Sequence, residues 1–333
     1  MLKVWSKEKA AAWYADSPWC IGFNYVPSTA VNSVQMWQDA DFDKPVIARE
    51  MERAAQMGYN SVRVFLSYVV WEADGQRFLD NFNWFVRLCA DNRISVMPNL
   101  FDDCAFGKSE PVVGPQPEPV PGVHNSRWVP SPGFRCADDP AAQVRLREFV
   151  LAVVGAHRTD PGILAWDVYN EPGNSDRGNE SLPLLVNAFR WTREAEPKQP
   201  LTAGIWKYDD SSEYHACLEL SDVVSFHSYN STYALMEIAG KLAAQEKPLL
   251  LTEWLHRPNG DTLLKHLPML RSAKIGCWHW GLFQGKTQTN LHWTTMAGNP
   301  DPNPMLWQHD ILREDGTPYD EAEVRLIREL SER

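Results

Sequence analysis

Short runs of almost continuous apolar residues recur along this chain, separated by stretches in which apolar positions follow a helical spacing. The runs are Cys20–Val26 (CIGFNYV), Ser61–Phe65 (SVRVF), Ile94–Leu100 (ISVMPNL), Ile163–Pro172 (ILAWDVYNEP), Leu201–Trp206, Asp222–Ser228 (DVVSFHS), Pro248–Trp254 (PLLLTEW) and Ile275–Leu282 (IGCWHWGL). Runs of this kind predict strands buried on both faces, as in a parallel sheet. Between them, helices are predicted over 43–57, 78–92, 141–157, 182–194, 212–220, 234–245, 262–273 and 319–330. The first of these has Pro45 near its start, apolar Val46, Ile47, Met51, Ala54 and Ala55 on one face, and Gly58 as its stop. Eight strands alternating with eight helices indicate the α/β class and a (β/α)8, or TIM, barrel more than an open doubly wound sheet.

The 333 residues fit one such barrel, which usually takes about 250 residues plus insertions. The expected organisation is therefore a single domain over 1–333, with the barrel proper over about 20–330. A long insertion follows strand three, over 102–139, with PQPEPVPG at its centre. Loops this long without periodicity of their own are usually functional or disordered.

Two of the strands end in the same way. Strand four runs through Ile163, Leu164, Ala165, Trp166 and Val168 into Asn170 and Glu171, and Pro172, which cannot donate to a ladder, ends the pairing beside Glu171. Strand seven runs through Leu249, Leu250 and Leu251 into Thr252 and Glu253, 82 residues further on (253 − 171). One glutamate after a strand is more often a solvated loop acid. Two at the same end of one barrel can face one substrate, because ligands bind at the carboxyl ends of barrel strands. Paired carboxylates suit cleavage of a glycosidic bond, one protonating the leaving oxygen while the other attacks or activates water, provided that their environments split their pKa values.

Other polar residues fall at the same strand ends: Arg63 in strand two, Asn99 closing strand three, Asn170 before Glu171, His227 and Tyr229 flanking the end of strand six, and Trp280 in strand eight. Singly, each reads as a core or salt-bridge residue. Together, Arg63, Asn170-Glu171-Pro172, His227-Ser228-Tyr229, Thr252-Glu253-Trp254 and Trp280 resemble glycoside hydrolase clan A, most closely the family five cellulase and mannanase relatives, over essentially the whole chain. The resemblance implies Glu171 as acid/base, Glu253 as nucleophile and Asn170 as a contact to the sugar 2-hydroxyl. It further implies that Tyr229 holds the nucleophile, that Arg63 sets its ionisation, and that Trp280 floors the −1 site. The mechanism implied is retaining double displacement. One departure stands out: family five members usually carry a histidine near strand three, where this chain has Asn99-Leu100-Phe101-Asp102-Asp103. Either Asn99 or Asp102 is expected to take that sugar contact. In the long loop His124, Asn125 and Trp128 can line the cleft, as can Trp37, Trp71, Glu72, Trp206, His256, Lys286 and Gln288 elsewhere.

A net charge of −11 argues against nucleic acid or an anionic membrane surface as partner, and no window approaches the ~20 apolar residues of a membrane span. The N-terminal stretch MLKVWSKEKAAAWYADSPW lacks the apolar core of a secretory signal, so a cytoplasmic protein is expected. Six cysteines without close pairs suggest neither a zinc motif nor a disulfide framework, and no cofactor is expected. Fifteen tryptophans are abundant material for stacking on sugar rings as well as for packing. The expected substrate is a short β-linked oligosaccharide or glycoside, attacked from its end; the alternatives are an endo-acting β-1,4-glycanase, a transglycosidase, and a catalytically silent sugar-binding barrel. A metal-dependent hydrolase using His227 with His124, His256 or His279 is the remaining competitor, although no HxH or HExxH pair is present. Nothing in the sequence assigns an oligomeric state.

Overall fold

In the computed structural model, which describes residues 3–106 and 109–331, the apolar runs form eight parallel strands. They are β1 (Ile21–Tyr25), β2 (Ser61–Phe65), β3 (Ser95–Asn99), β4 (Trp166–Asn170), β5 (Leu201–Gly204), β6 (Val224–His227), β7 (Leu249–Glu253) and β8 (Gly276–Trp280). Consecutive strands from β1 to β5 and from β6 to β8 pair in parallel, and β1 pairs with β8. Between β5 and β6 the seam is closed by a bridge from Ile205 to Phe226, with Ile205 N donating to Ser225 O (3.1 Å) and His227 N to Ile205 O (2.7 Å). The sheet is thus a (β/α)8 barrel, and no sheet edge is left open at this seam.

Helices follow the strands as the spacing predicts. The helix Lys44–Met57, for instance, begins where Asp43 accepts from Val46 N (3.2 Å). Among the described residues, four further α-helices lie outside the eightfold pattern, at Lys7–Asp16, Ser33–Trp37, Tyr68–Ala73 and Phe134–Asp138. The last sits inside the proline-rich stretch after β3. Among the described residues, none forms a helix long and apolar enough to cross a membrane.

Two apolar layers hold the barrel together. Side chains on the outer face of the strands, such as Leu249, Leu251, Val62 and Val64, pack against the helices in one large cluster. Inward-facing Met97, Ala165, Val223, Leu250, Cys20 and Trp278 fill the lower barrel with Ala10 of the N-terminal helix beneath them. The alternation along β7, with Leu250 inside and its two neighbours outside, is the period-2 geometry of a strand. This dry lower half leaves the upper half to polar side chains. Its fit is close: a Cβ on Gly22 would lie 2.3 Å from Trp278 Cδ1 and 2.6 Å from the Ser61 carbonyl oxygen. Gly22→Ala is therefore expected to lower stability by about 1–3 kcal/mol, the usual cost of overpacking, read as a lower urea midpoint at unchanged slope.

Candidate active site

Glu171 and Glu253 stand at the carboxyl ends of β4 and β7, both buried. Glu171 follows the last residue of its strand. Its N–H still donates to Gly204 O (3.1 Å), and its own φ of +45° then turns the chain away. The strand ends at this turn as well as at Pro172. A left-handed conformation is unusual for a glutamate and marks a constrained position. One carboxylate oxygen of Glu171, one of Glu253 and a ring nitrogen of His227 all lie within 4.8 Å of one another.

The two acids have different partners. Arg63 Nη1 donates to Glu253 Oε1 (2.8 Å), and the Tyr229 hydroxyl donates to Oε2 (2.8 Å). Glu171 receives only neutral donors: His227 Nδ1 to Oε1 (2.6 Å), and the Cys104 thiol (3.2 Å) together with the Asn174 amide to Oε2. Burial raises the pKa of both carboxyls; the Cys104 and Asn174 donors and the Arg63 charge pull Glu171 back, whereas Glu253 is pulled back by His227, the Arg63 charge and the Tyr229 hydroxyl and pushed up by the charge of Glu171. Such a pair titrates jointly. A thiol both donates and accepts weakly, so the Cys104 contact is compatible with either protonation state of Glu171.

Arg63 is fully buried inside β2, and all five of its N–H groups are used. Nε and Nη2 reach Asp167 Oδ2 (2.8 and 2.5 Å), Nη2 also reaches Asn170 Oδ1 (2.7 Å), and Nη1 reaches Asn24 Oδ1 (2.8 Å) as well as Glu253. Burial opposes its charge, but Asp167 and Glu253 outweigh that and keep it ionised. Oriented by Arg63, Asn170 turns its Nδ2 to Asp102 Oδ1 (2.8 Å), whose other oxygen accepts from Trp128 Nε1 (2.8 Å). The guanidinium thus ties four strands and, through Asn170 and Asp102, the long loop.

His227 lies between the acids, with Nδ1 3.7 Å from Glu253 Oε2 as well as 2.6 Å from Glu171. Burial holds its pKa down to about 4, so the ring is neutral at neutral pH. Its single proton belongs on Nδ1, because Nε2 has no partner. The ring fits only because residue 204 is glycine: a Cβ there would stand 2.9 Å from Nε2.

Above the acids is a cavity of about 450 Å³. Trp280 forms part of its lining, stacked on Phe65 (5.8 Å between centroids, 7° between planes) and met edge-on by Trp128 (5.5 Å, 84°). Trp206 and Tyr208, after β5, line the side near Glu171. Another part of the wall is built by two segments locked together. His124 N donates to Thr295 Oγ1 (2.9 Å), His124 Nδ1 meets Leu291 O (2.8 Å), and Asn125 N donates to Thr287 O (2.7 Å). Behind this rim Trp293 packs edge-on against Tyr229 (4.9 Å), and His309 lies 5.6 Å from the same ring.

Of the residues expected from sequence, Glu171, Glu253, Asn170, His227, Tyr229, Trp280 and Trp128 line the cavity, as do His124, Asn125 and Trp206, and Arg63 lies buried beneath it. Asn99 does not line it; buried in the wall, it faces the Asp167 carbonyl (3.4 Å). Asp102 is likewise occupied by Asn170 and Trp128, and at that end of β3 it is Cys104 that lines the cavity. Trp37 and Trp71 belong to the outer core, Glu72 accepts from the Tyr68 hydroxyl, Lys286 pairs with Glu118, and Gln288 braces the rim. His256 stacks on Trp293 (4.6 Å) behind the wall. Among the residues that sequence reading missed, Asn174, Tyr208 and His309 lie in loops, and Asn259, Trp293 and Met296 in short 3-10 turns. Tyr208, Trp293 and His309 fall where aromatic and histidine residues cluster after strands five and eight, a signal that Asn174, Asn259 and Met296 lack.

The three convergent donors of Glu171, His227 and Glu253 are also the one group among the described residues able to surround a metal ion. Their chemistry fits an ion poorly, since the Arg63 guanidinium and the Tyr229, Cys104 and Asn174 donors already point at these carboxylates. The other histidines expected for a metal hydrolase are not drawn in: His279 pairs with the Tyr59 hydroxyl (2.6 Å), while His124 and His256 belong to the rim.

No protein-family model and no curated protein matches the sequence. Among solved structures the chain is similar to the exo-β-1,4-mannosidase Op5Man5 from Opitutaceae bacterium strain TAV5, with a TM-score of 0.66, 17% identity and 94% of this chain covered. It spans only 59% of that protein's length. A glycoside hydrolase family 5 mannosidase from Rhizomucor miehei gives 0.61 and 14%, covering 95% of this chain and 93% of that one. An endo-β-1,4-mannanase from Thermotoga petrophila gives 0.60 and 12%, covering 96% and 77%. At these identities the likeness shows a shared barrel fold.

Removing the central cation leaves two acids buried without a counter-charge. Arg63→Met is expected to cost about 3–5 kcal/mol, as when one partner of a buried pair is lost, measured by urea unfolding of both proteins.

Proposed function

We propose that this protein is a retaining β-glycoside hydrolase that removes a terminal sugar from short β-linked oligosaccharides or glycosides. The observation that carries the reading is the distance between the acids. Oxygens of Glu171 and Glu253 lie within 4.8 Å of each other, which matches the roughly 5–5.5 Å of retaining enzymes and leaves no room for the water of an inverting one. In this reading Glu253, kept ionised by Arg63 and aligned by Tyr229, attacks the anomeric carbon. Glu171 protonates the departing glycosidic oxygen, so a glycosyl ester replaces the glycosidic bond. Glu171 then takes a proton from water as that water opens the ester, and both carboxyls return to their starting states.

The end-acting mode is supported by the rim. The leaving group departs on the side of the acid, Glu171, whereas the wall of Trp293, His309 and His124 rises beside Tyr229, the partner of Glu253. A cleft blocked there accommodates a chain end better than a chain interior. β-Mannosides are the first substrates to try, because the similar solved structures bear mannosidase and mannanase names.

The reading is tested by nitrophenol release from aryl β-mannoside, glucoside, galactoside, xyloside and fucoside. One of these is expected to turn over, and Glu253→Gln to reduce that turnover by about a thousandfold or more with unchanged thermal unfolding. Turnover undiminished by the substitution would refute the assignment of the nucleophile.

A pH profile tests the division of roles. Activity requires Glu253 ionised and Glu171 protonated, so kcat/KM should rise with pH as Glu253 ionises and fall as pH passes the raised pKa of Glu171. The Tyr229 hydroxyl lowers the pKa of Glu253. Tyr229→Phe should therefore move the acid limb to higher pH and leave the alkaline limb nearly in place.

A further inference from the structure

Two neutral donors share one oxygen of the acid. Glu171 Oε2 accepts from the Cys104 thiol (3.2 Å) and from the Asn174 amide, while Oε1 accepts from His227 Nδ1. Cys104 belongs to the stretch after β3 and Asn174 to the turn after β4, and both line the cavity beside Glu171. A glutamate side chain gives up considerable rotamer freedom on being fixed. Here bonds at both of its oxygens do the fixing.

The two loops hold these donors in place. Cys104 N donates to Asp102 Oδ1 (2.9 Å), and the Cys104 side chain packs with Phe65 and Trp128. The Asn174 amide oxygen accepts from Ser175 N, which leaves its nitrogen for Glu171, and the Asn174 backbone N–H donates to Glu171 O (3.0 Å). Ala105 N donates to Ser175 Oγ (3.0 Å), so the residues that follow the two donors are bonded to each other. Burial, together with the charges of Glu171, Asp102 and Glu253, pushes the pKa of the Cys104 thiol well above its usual value. The thiol therefore stays protonated and places no negative charge beside Glu171.

We propose that Cys104 and Asn174 are positioning residues for proton transfer, which together hold the Glu171 carboxyl in the place from which it protonates the leaving oxygen. This role rests on the glycosidase reading above and extends it to two residues outside the strand-end motifs. Each acts through Glu171 rather than on the sugar. The role is confined to the step that moves a proton, and a leaving group that departs as a stable anion needs no proton. The cost of disturbing Glu171 therefore depends on the leaving group. A residue that bound the sugar, or merely supported the fold, would affect all leaving groups alike.

The test compares kcat/KM for phenyl and dinitrophenyl β-glycosides of the sugar that the aryl panel shows to turn over. Phenoxide leaves with the help of a proton, dinitrophenoxide without it. Cys104→Ala and Asn174→Ala are each expected to lower kcat/KM for the phenyl glycoside about tenfold, the scale of one hydrogen bond to a carboxyl group. For the dinitrophenyl glycoside the change should be less than about twofold. Cys104→Ser, which keeps a donor, should recover most of the activity on the phenyl glycoside. Equal losses on both substrates, or no loss on either, overturn the proposal and leave the glycosidase reading standing. Should the alanine proteins fail to fold, as thermal unfolding reveals, Cys104→Ser carries the test: a phenyl-to-dinitrophenyl ratio within about threefold of the parent's supports the proposal, and a larger fall overturns it. If the parent protein turns over no glycoside, the glycosidase reading itself fails and this role fails with it.

Discussion

A guanidinium with no access to water is the constraint around which the upper half of this barrel is built. Arg63 can remain charged at full burial only if each of its N–H groups meets an oxygen, and its five hydrogen bonds go to Asn24, Asp167, Asn170 and Glu253. Those residues belong to β1, β4 and β7, so satisfying one side chain fixes the relative positions of four strands. The arrangement works as a unit because a buried charge that loses a partner is costly. The asymmetry of the acids follows from the same geometry: the fork touches Glu253 and stops short of Glu171, which is left to neutral donors.

His227 depends on this frame in a second way. It has to sit close enough to Glu171 to donate to it, and the space for its ring exists because β5 ends in Gly204. Burial keeps the ring neutral, so it orders Glu171 without adding a positive charge that would lower that carboxyl's pKa. Arg63 and His227 thus contribute opposite conditions, a cation at one acid and an uncharged donor at the other. Two glutamates of identical intrinsic chemistry are separated by that difference.

The parts of the molecule that were legible in the sequence are those governed by short-range pattern. Buried parallel strands must be apolar along their length, so all eight could be read, and the glutamates that terminate β4 and β7 could be read with them. Inward positions near the top of the strands could be named as polar exceptions to an apolar run, as with Arg63 in SVRVF. Asn99 was the same kind of exception, but its side chain faces the Asp167 carbonyl, and only the barrel's three-dimensional register decides between wall and cavity. The N-terminal helix that underlies the barrel, Lys7–Asp16, precedes the first predicted strand and falls outside the alternation of strand and helix. Its role as a plug depends on Trp278 and Met97 meeting it from distant strands. The rim was opaque because the residues after β8 have no periodicity and are held by bonds to a loop more than 160 positions earlier, such as that from Gly122 N to Gln288 Oε1.

That rim connects the fold to the choice of substrate. A barrel closes its own sheet and covers its own bottom, but its mouth is shaped by whatever its loops can agree on. Here the loop after β3 and the segment after β8 each lack regular structure over most of their length, and they order one another through cross-bonds at Gly122, His124 and Asn125. Aromatic rings fill the space behind those bonds, with Trp293 between Tyr229 and His256. The wall therefore reaches Glu253 through Tyr229, so a change in the loops is felt at the carboxylate as well as at the far edge of the cavity. The loops and Glu253 are consequently linked through a single phenol ring. A variant that loosens the rim would disturb the alignment of Tyr229 at the same time.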